Sequence, residues 1–197
     1  MASEIDICNL ALTRLGADAI RSFEEDNKRA RLSQNTYQHI RDLYLEDHEW
    51  TFNTKYVQLA LLANVAHPKF AFVYQLPADC LYPRQILDAS GMIDSRVQWE
   101  RFNNYIATDV ESAWLRYSES TTVTGRFPIY FVEAVAAQMA AELAPAIVQD
   151  KKRYNELITI AEARLARARD KDAEMGVEYL FRDNDPNNDY FCFPPGS

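Results

Sequence analysis

Apolar residues recur at helical spacing at the start of the chain. The stripe consists of Ile5, Cys8, Leu12 and Leu15, at steps of three and four residues. Ser3 stands before it with Asp6 three residues on, which predicts a capped helix N-terminus. Gly16 follows the stripe, where a helix C-terminus favours a left-handed residue. We therefore expect a first helix, followed by a linker over residues 17–26.

A second helix is predicted from Lys28 to Asp47. Its apolar face contains Ala30, Tyr37, Ile40 and Tyr44. Arg29, Gln38 and Arg41 are expected to point away from that face. The acidic run at residues 24–26 precedes the helix, where negative charge favours the positive end of the helix dipole.

The middle of the chain changes to the pattern of strands. Phe70, Phe72, Tyr74 and Leu76 alternate with other residues, and Pro77 ends the run. Further short strands are predicted over residues 81–87, 96–101, 105–107 and 113–117. The pair Asn103-Asn104 suits a turn, since asparagine tolerates left-handed backbone. We interpret residues 53–120 as a small antiparallel sheet inserted between helices.

Helical periodicity returns after Phe127. The apolar run over residues 127–148 contains Glu133, Glu142 and Pro145, so a buried, alanine-rich helix explains it better than a membrane span. A last helix is predicted over residues 151–174, with Gly176 ending it.

These patterns predict a mainly α protein of the α+β class. We expect a helical bundle with an inserted small antiparallel β-sheet and an extended C-terminal tail. The predicted divisions are a helical bundle domain at 1–52 and 121–176, a β-rich insertion at 53–120, and the tail at 177–197.

The tail combines an acidic and asparagine-rich stretch at 183–189 with an aromatic tip. The first part is too polar to fold alone, and large apolar groups left in water are costly. We therefore predict a docking segment for a partner, the alternative being that the tip folds back on its own domain. The predicted docking residues are Tyr179, Phe181, Tyr190, Phe191, Phe193, Pro194 and Pro195.

Charge narrows the possible functions. The formal net charge is −8, which disfavours a nonspecific nucleic-acid binder. The basic residues of the last helix are diluted by acids, so ion pairing within or between subunits is their expected use. A nucleic-acid-binding module built on that helix is the less favoured alternative. Three widely spaced cysteines indicate thiols in a reducing cytosol. Neither a zinc pattern nor a signal peptide is present in the sequence, and no cofactor or metal is expected.

Catalytic patterns are weak. The sequence has three histidines, His39, His48 and His67, but no G-x-S-x-G motif that would present a serine to one of them. Glu46 and Glu49 flank Asp47-His48 and could supply the two carboxyl groups of a cell-wall hydrolase. A solvated helix end explains this acidic cluster better. We expect no catalytic site, with the hydrolase as the alternative function.

Several segments together carry a resemblance to a known family. In the helical part they are Ile7-Cys8-Asn9-Leu10-Ala11-Leu12, Arg14-Leu15-Gly16, Ala30-Arg31-Leu32, Tyr37, Arg41-Asp42, His48, Trp50 and Phe52. In the strand region they are Phe72, Tyr74 and Leu76-Pro77-Ala78-Asp79-Cys80-Leu81, followed by the alanine-rich helix at 131–148 and the helix ending near Ala173. With these segments in this order, the chain resembles the tail tubular protein A family, the head-to-tail adaptors of short-tailed, podovirus-type bacteriophages.

The resemblance implies a structural virion protein, assembled in the bacterial cytoplasm. It implies a homo-oligomeric, dodecameric ring between the portal protein and the tail nozzle protein, with tail fibres as a further partner. DNA would pass through the ring without sequence-specific binding. The surplus of acid fits such a channel, since a basic lumen would hold the phosphate backbone. The aromatic tail would then engage the portal.

Overall fold

The structure is a computed structural model that describes residues 2–88, 97–148 and 151–182, without the side chains of 151, 152 and 176–182. Over these residues it is an α+β fold with four α-helices and seven strands. The helices are α1 (Glu4–Arg14), α2 (Lys28–Asp47), α3 (Ile129–Ile147) and α4 (Lys151–Arg182). The strands are β1 (Thr54–Gln58), β2 (Ala60–Leu61), β3 (Phe72–Gln75), β4 (Cys80–Leu87), β5 (Trp99–Phe102), β6 (Tyr105–Thr108) and β7 (Trp114–Glu119).

Helix α1 begins and ends as predicted. The Asp6 amide donates to Ser3 Oγ at 3.1 Å, and the Ser3 amide donates to Asp6 Oδ2 at 2.8 Å. Gly16 has a φ of 69°, the left-handed conformation that glycine adopts most easily. The face of the helix that packs against the core contains the buried residues Ile7, Cys8 and Leu12.

Helix α2 has the predicted bounds and buries the predicted face, with one correction. Arg41 was expected to point away, but it is 7% exposed. Its guanidinium lies 5.6 Å from the centre of the Tyr37 ring, and its Nη1 and Nε approach carboxylate oxygens of Glu4 and Asp42 at 3.6 and 2.9 Å. A buried guanidinium persists here because two carboxylates and an aromatic face surround it.

Helix α3 is the centre of the helical core. Six of its alanines are at most 1% exposed: Ala134, Ala136, Ala137, Ala140, Ala141 and Ala144. The small side chains let α1, α2 and α4 all pack against α3. At its N-terminal end, Phe131 lies edge-on to Trp50 at 5.0 Å and packs against Phe52 at 5.1 Å, measured between ring centres. Among the described residues, no helix combines the length and the apolar character needed to cross a membrane.

The predicted end of the last helix was wrong. Helix α4 continues through Gly176 to Arg182, so residues 177–182 are helical rather than extended. A glycine inside a helix costs only about 1 kcal/mol, and Glu178 and Leu180 beyond it favour the helix. The rest of the predicted tail, 183–197, lies outside the described residues.

The strands form two antiparallel sheets where one was expected. One has the order β1-β7-β4, and the other has the order β2-β3-β6-β5. Tyr74 and Ile106 of the second sheet share a core with Ile86 and Leu115 of the first. Val73, next to Tyr74, faces a separate cluster on the opposite side. Strand β3 is therefore buried on both faces, which the alternation of Phe70 to Leu76 did not indicate.

Strand β4 forms an edge of its sheet and is irregular. Its pairing with β7 shifts register twice, between Cys80 and Tyr82 and between Pro83 and Gln85. Proline carries no amide hydrogen, which is why it is tolerated at an edge. The turn between β5 and β6 is at Asn103, with a φ of 51°, as predicted.

Arginines join the sheets to the end of α2. Arg84 Nη2 donates to the carbonyl oxygens of Glu46 at 2.6 Å and His48 at 3.0 Å. Arg116 Nε of β7 lies 2.7 Å from Glu49 Oε1. Carbonyls at a helix C-terminus lack intrahelical partners, so the bonds from Arg84 satisfy them, and both arginines hold the β1-β7-β4 sheet against the end of α2.

Candidate functional site

The predicted docking residues are split by the end of α4. Tyr179 and Phe181 belong to the last turns of α4, and their side chains are not described. Tyr190, Phe191, Phe193, Pro194 and Pro195 lie outside the described residues. Docking by this segment therefore stays a prediction.

The candidate hydrolase carboxylates occupy different surroundings. Glu46 is exposed on α2 and borders a cleft of about 400 Å³. Glu49 lies against β7 in its ion pair with Arg116. Glu46 therefore borders the cleft, whereas the Glu49 carboxylate is taken up by Arg116.

The histidines lie in three separate parts of the fold. His39 is exposed on α2, while the His67 ring packs 4.9 Å from the Phe102 ring, between centres. His48 Nε2 lies 3.3 Å from Asp172 Oδ2, and its ring meets Trp50 edge-on at 4.6 Å. Among the described residues, no group of three or more histidine, cysteine, aspartate or glutamate side chains could hold a metal ion.

Asp172 is a buried structural residue that the sequence analysis missed. It is 4% exposed, and its carboxylate accepts hydrogen bonds from the Thr51 hydroxyl at 2.7 Å and the Thr51 amide at 3.0 Å. These bonds tie α4 to the 3-10 turn at Thr51–Asn53. Its spacing of four from buried Ala168 and eleven from buried Ala161 is the signal that could have identified it.

Three basic residues of α4, Arg164, Arg169 and Lys171, make ion pairs within the chain, which is one of the two uses predicted. Glu133 of α3 binds Arg14 of α1 with Nη2–Oε2 at 2.5 Å, and it also binds Arg164 of α4. Arg169 binds Asp47 of α2. Helix α4 is thereby fastened to α3 and α1 through Arg164 and to α2 through Arg169.

A second polar network stabilises the sheet region. Lys55 Nζ of β1 lies 2.9 Å from Asp79 Oδ2 and 2.7 Å from Glu119 Oε1. The Tyr117 hydroxyl donates to Asp79 Oδ1 at 3.0 Å. Burial alone would raise the pKa of Asp79, but the hydrogen bonds from Lys55 and Tyr117 outweigh it and lower the pKa. Asp79 is thus a structural anion that joins β1 to β7.

A cleft of about 530 Å³ opens between the sheets beside Cys80 and Arg101. Burial raises the pKa of the Cys80 thiol to about 11. Cys8, inside the helical core, has its pKa raised to about 12 by the same cause. Both thiols are therefore protonated at neutral pH, which is unfavourable for nucleophilic chemistry.

Two surface patches combine exposed apolar side chains with charge. The acidic patch consists of Leu43, Glu46, Asp47 and Tyr82, around the cleft at the end of α2. The basic patch consists of Ile129, Tyr130, Ile160, Arg164 and Arg167, around a groove of about 470 Å³ between α3 and α4. Sequence reasoning treated Ile129 and Ile160 as members of helices and did not identify them as exposed.

The fold and these surfaces define an α+β protein whose polar side chains mainly fasten its elements together. No family model matches the chain, and no curated protein gives a significant match.

Proposed function

We propose that the chain is a structural head-to-tail adaptor of a short-tailed phage virion. In this role, copies form a ring, dodecameric as the resemblance implies, between portal and tail nozzle, and genomic DNA passes through it. The ordered series of segments from Ile7 to Ala173 supports the proposal, since it resembles the tail tubular protein A family over most of that length.

The observation that carries the proposal is large apolar side chains exposed on a chain that already has a packed helical core. Ile129 is 65% exposed and Ile160 46% exposed, side by side along the groove between α3 and α4. Exposed apolar groups that share a groove with charged residues are typical of protein interaction surfaces. A ring subunit needs such surfaces, because each copy contacts two neighbours.

The polar residues support a rigid subunit. His48 contacts Asp172, Asp79 joins two strands, and Arg14 binds Glu133 across two helices. Each of these residues fixes one element against another. A subunit that transmits force between a capsid and a tail benefits from this rigidity.

The net negative charge of the chain supports a role in which DNA passes through the ring. The net charge of −8 would keep a channel wall from binding the phosphate backbone tightly. The predicted docking segment after α4 would carry the contact with the portal.

Electron microscopy of the purified chain, alone and mixed with the portal protein of its phage, tests the proposal. We expect rings in at least one of the two samples. A chain that stays monomeric and unbound in both refutes the adaptor function.

A truncation tests the docking segment separately. Removing residues 183–197 should abolish portal binding and leave the helical circular dichroism signal in place. Unchanged portal binding by the truncated chain would assign the contact to another surface.

A further inference from the structure

We propose that the acidic patch of one copy of this chain packs against the basic patch of a second copy, so that each contact joins two different surfaces. The proposal rests on the proposed function, since it names the surfaces by which neighbouring copies would meet.

Both patches offer apolar area that the single chain leaves in water. In the acidic patch, Leu43 is 49% and Tyr82 41% exposed. In the basic patch, Ile129 and Ile160 are the exposed pair. Removing this area from water on both sides is the favourable part of the contact.

The charges of the two linings are mirror images. The cleft of the acidic patch is lined by two carboxylates, Glu46 and Asp47, and by one guanidinium, Arg84. The groove of the basic patch is lined by Arg164, Arg167 and the single carboxylate of Glu133. Each lining therefore has a surplus of one charge, of opposite sign.

Glu46 and Arg167 are the exposed charges of the two linings that have no ion-pair partner among the described residues. Arg84 also makes no ion pair with a described residue, but its guanidinium is held by the carbonyl oxygens of Glu46 and His48. Asp47 binds Arg169, and Arg164 binds Glu133. Arg167 lies over the Tyr130 ring at 5.5 Å, exposed and without an ion pair to any described residue. Glu46 is likewise exposed and makes no ion pair within the described part of the chain. An ion pair between Glu46 of one copy and Arg167 of the other would neutralise both of these charges.

The patches lie on opposite flanks of α4, which determines how copies join. Arg164 points toward α1 and the start of α3, whereas Arg169 points toward the end of α2. Five residues separate them, a rotation of about 140° around a helix axis. When two copies bind, the acidic patch of one and the basic patch of the other are buried. The remaining basic patch and the remaining acidic patch are free to bind further copies. A contact of this kind continues into a ring or a filament.

Charge reversal tests the pairing by sedimentation velocity over a range of protein concentrations. Arg167→Glu and Glu46→Lys, each alone, should weaken self-association roughly tenfold or more, because each places like charges together. Mixing the two variants in equal amounts should restore association, since each supplies the patch that the other lacks. Restoration also shows that both variants are folded. Arg31→Glu and Glu111→Lys make the same charge changes at exposed positions outside the patches and should associate like the unmodified chain.

Two results would overturn the pairing while leaving the adaptor function standing. One is unaltered association of both single variants. The other is a mixture that associates no better than its components, which would give the groove to another occupant, such as residues 183–197 or a nucleic acid. If the unmodified chain shows no self-association, with or without the portal, both proposals fail.

Discussion

Thr51 donates two hydrogen bonds to the carboxylate of Asp172, a residue 121 positions further along the chain. The contact joins the turn that leads into the sheets with the last described helix. Helix α4 therefore packs on α3 and, through this contact, also holds the segment that precedes β1.

Removing the Asp172 carboxylate should therefore destabilise the whole chain. Asp172→Ala removes the buried carboxylate that accepts from the Thr51 amide and hydroxyl, and because hydrogen bonds to a charged group contribute about 1.5–3 kcal/mol, we expect a loss of about 2 kcal/mol. Urea unfolding followed by circular dichroism measures it. Asp170→Ala, exposed on the same helix, is the matched control and should change stability by less than about 0.5 kcal/mol. Equal unfolding midpoints for the two variants would show that the contact contributes nothing.

Asp79 should make part of the stability depend on acid pH. Its pKa is lowered from the ordinary value of 3.8 in the folded chain, so its contribution is present above about pH 4 and is lost as the pH falls through the lowered value. Asp79→Asn removes the titrating group and should flatten that acid limb. The measurement is the unfolding midpoint in urea between about pH 2 and pH 6. Asp170→Asn should keep the limb, and an Asp79→Asn curve parallel to the unmodified one would contradict the assignment.

The buried thiols should resist modification. With their pKa values raised to about 12 and about 11, Cys8 and Cys80 hold almost no thiolate at pH 7.5 in the folded chain. In a Cys192→Ser background, we expect an aromatic disulfide reagent to react with Cys80 slowly and with Cys8 only after unfolding. The absorbance of the released thiolate, with and without denaturant, checks this. Rapid reaction of both thiols in native buffer would be incompatible with the described packing.

The alanines of α3 should not tolerate larger side chains. Ala140 is fully buried on α3, the helix against which α1, α2 and α4 all pack, so Ala140→Leu should destabilise the chain by about 1–3 kcal/mol through overpacking. Ala166→Leu, on the exposed side of α4, makes the same change without the clash and serves as control. Thermal unfolding of the two variants measures the difference. A similar melting temperature for both would mean that α3 is packed loosely.

The hydrolase alternative makes a prediction of its own. If Glu46 and Glu49 were the acid and the base, Glu46→Gln and Glu49→Gln would each abolish cell-wall hydrolysis. We expect the unmodified chain and both variants to give the same baseline rate in a turbidity assay on purified peptidoglycan. Hydrolysis by the unmodified chain that either variant loses would favour the alternative, a cell-wall hydrolase activity carried by a virion-associated adaptor.

Local signals in the sequence were sufficient for much of the helical part. The Ser3–Asp6 pair and Gly16 delimit α1 through interactions within a few residues, so spacing alone predicts them. The end of α4 was predicted wrongly, because Gly176 weakens the helix without ending it. Arg41 was misplaced since its burial depends on Glu4, which is distant in sequence.

The sheets and the surface patches depend on contacts that a linear pattern does not contain. Strand β1 was missed because Thr54–Gln58 alternates poorly and is stabilised by β7, about 60 residues away. The exposure of Ile129 and Ile160 depends on which parts of α3 and α4 the rest of the chain covers, and sequence spacing does not contain that information. The acidic and basic patches could be located only once both helices were placed.

The irregular edge at β4 has a consequence for how the chain behaves at high concentration. Unprotected sheet edges add strands from other molecules and lead to aggregates. Pro83 and the two register shifts interrupt the row of hydrogen-bonding groups along β4, so a strand from another molecule cannot pair regularly with this edge. Newly made copies can therefore accumulate at high concentration with this edge closed to strand exchange. If copies form the proposed ring, they would then recognise one another through side chains rather than through added strands.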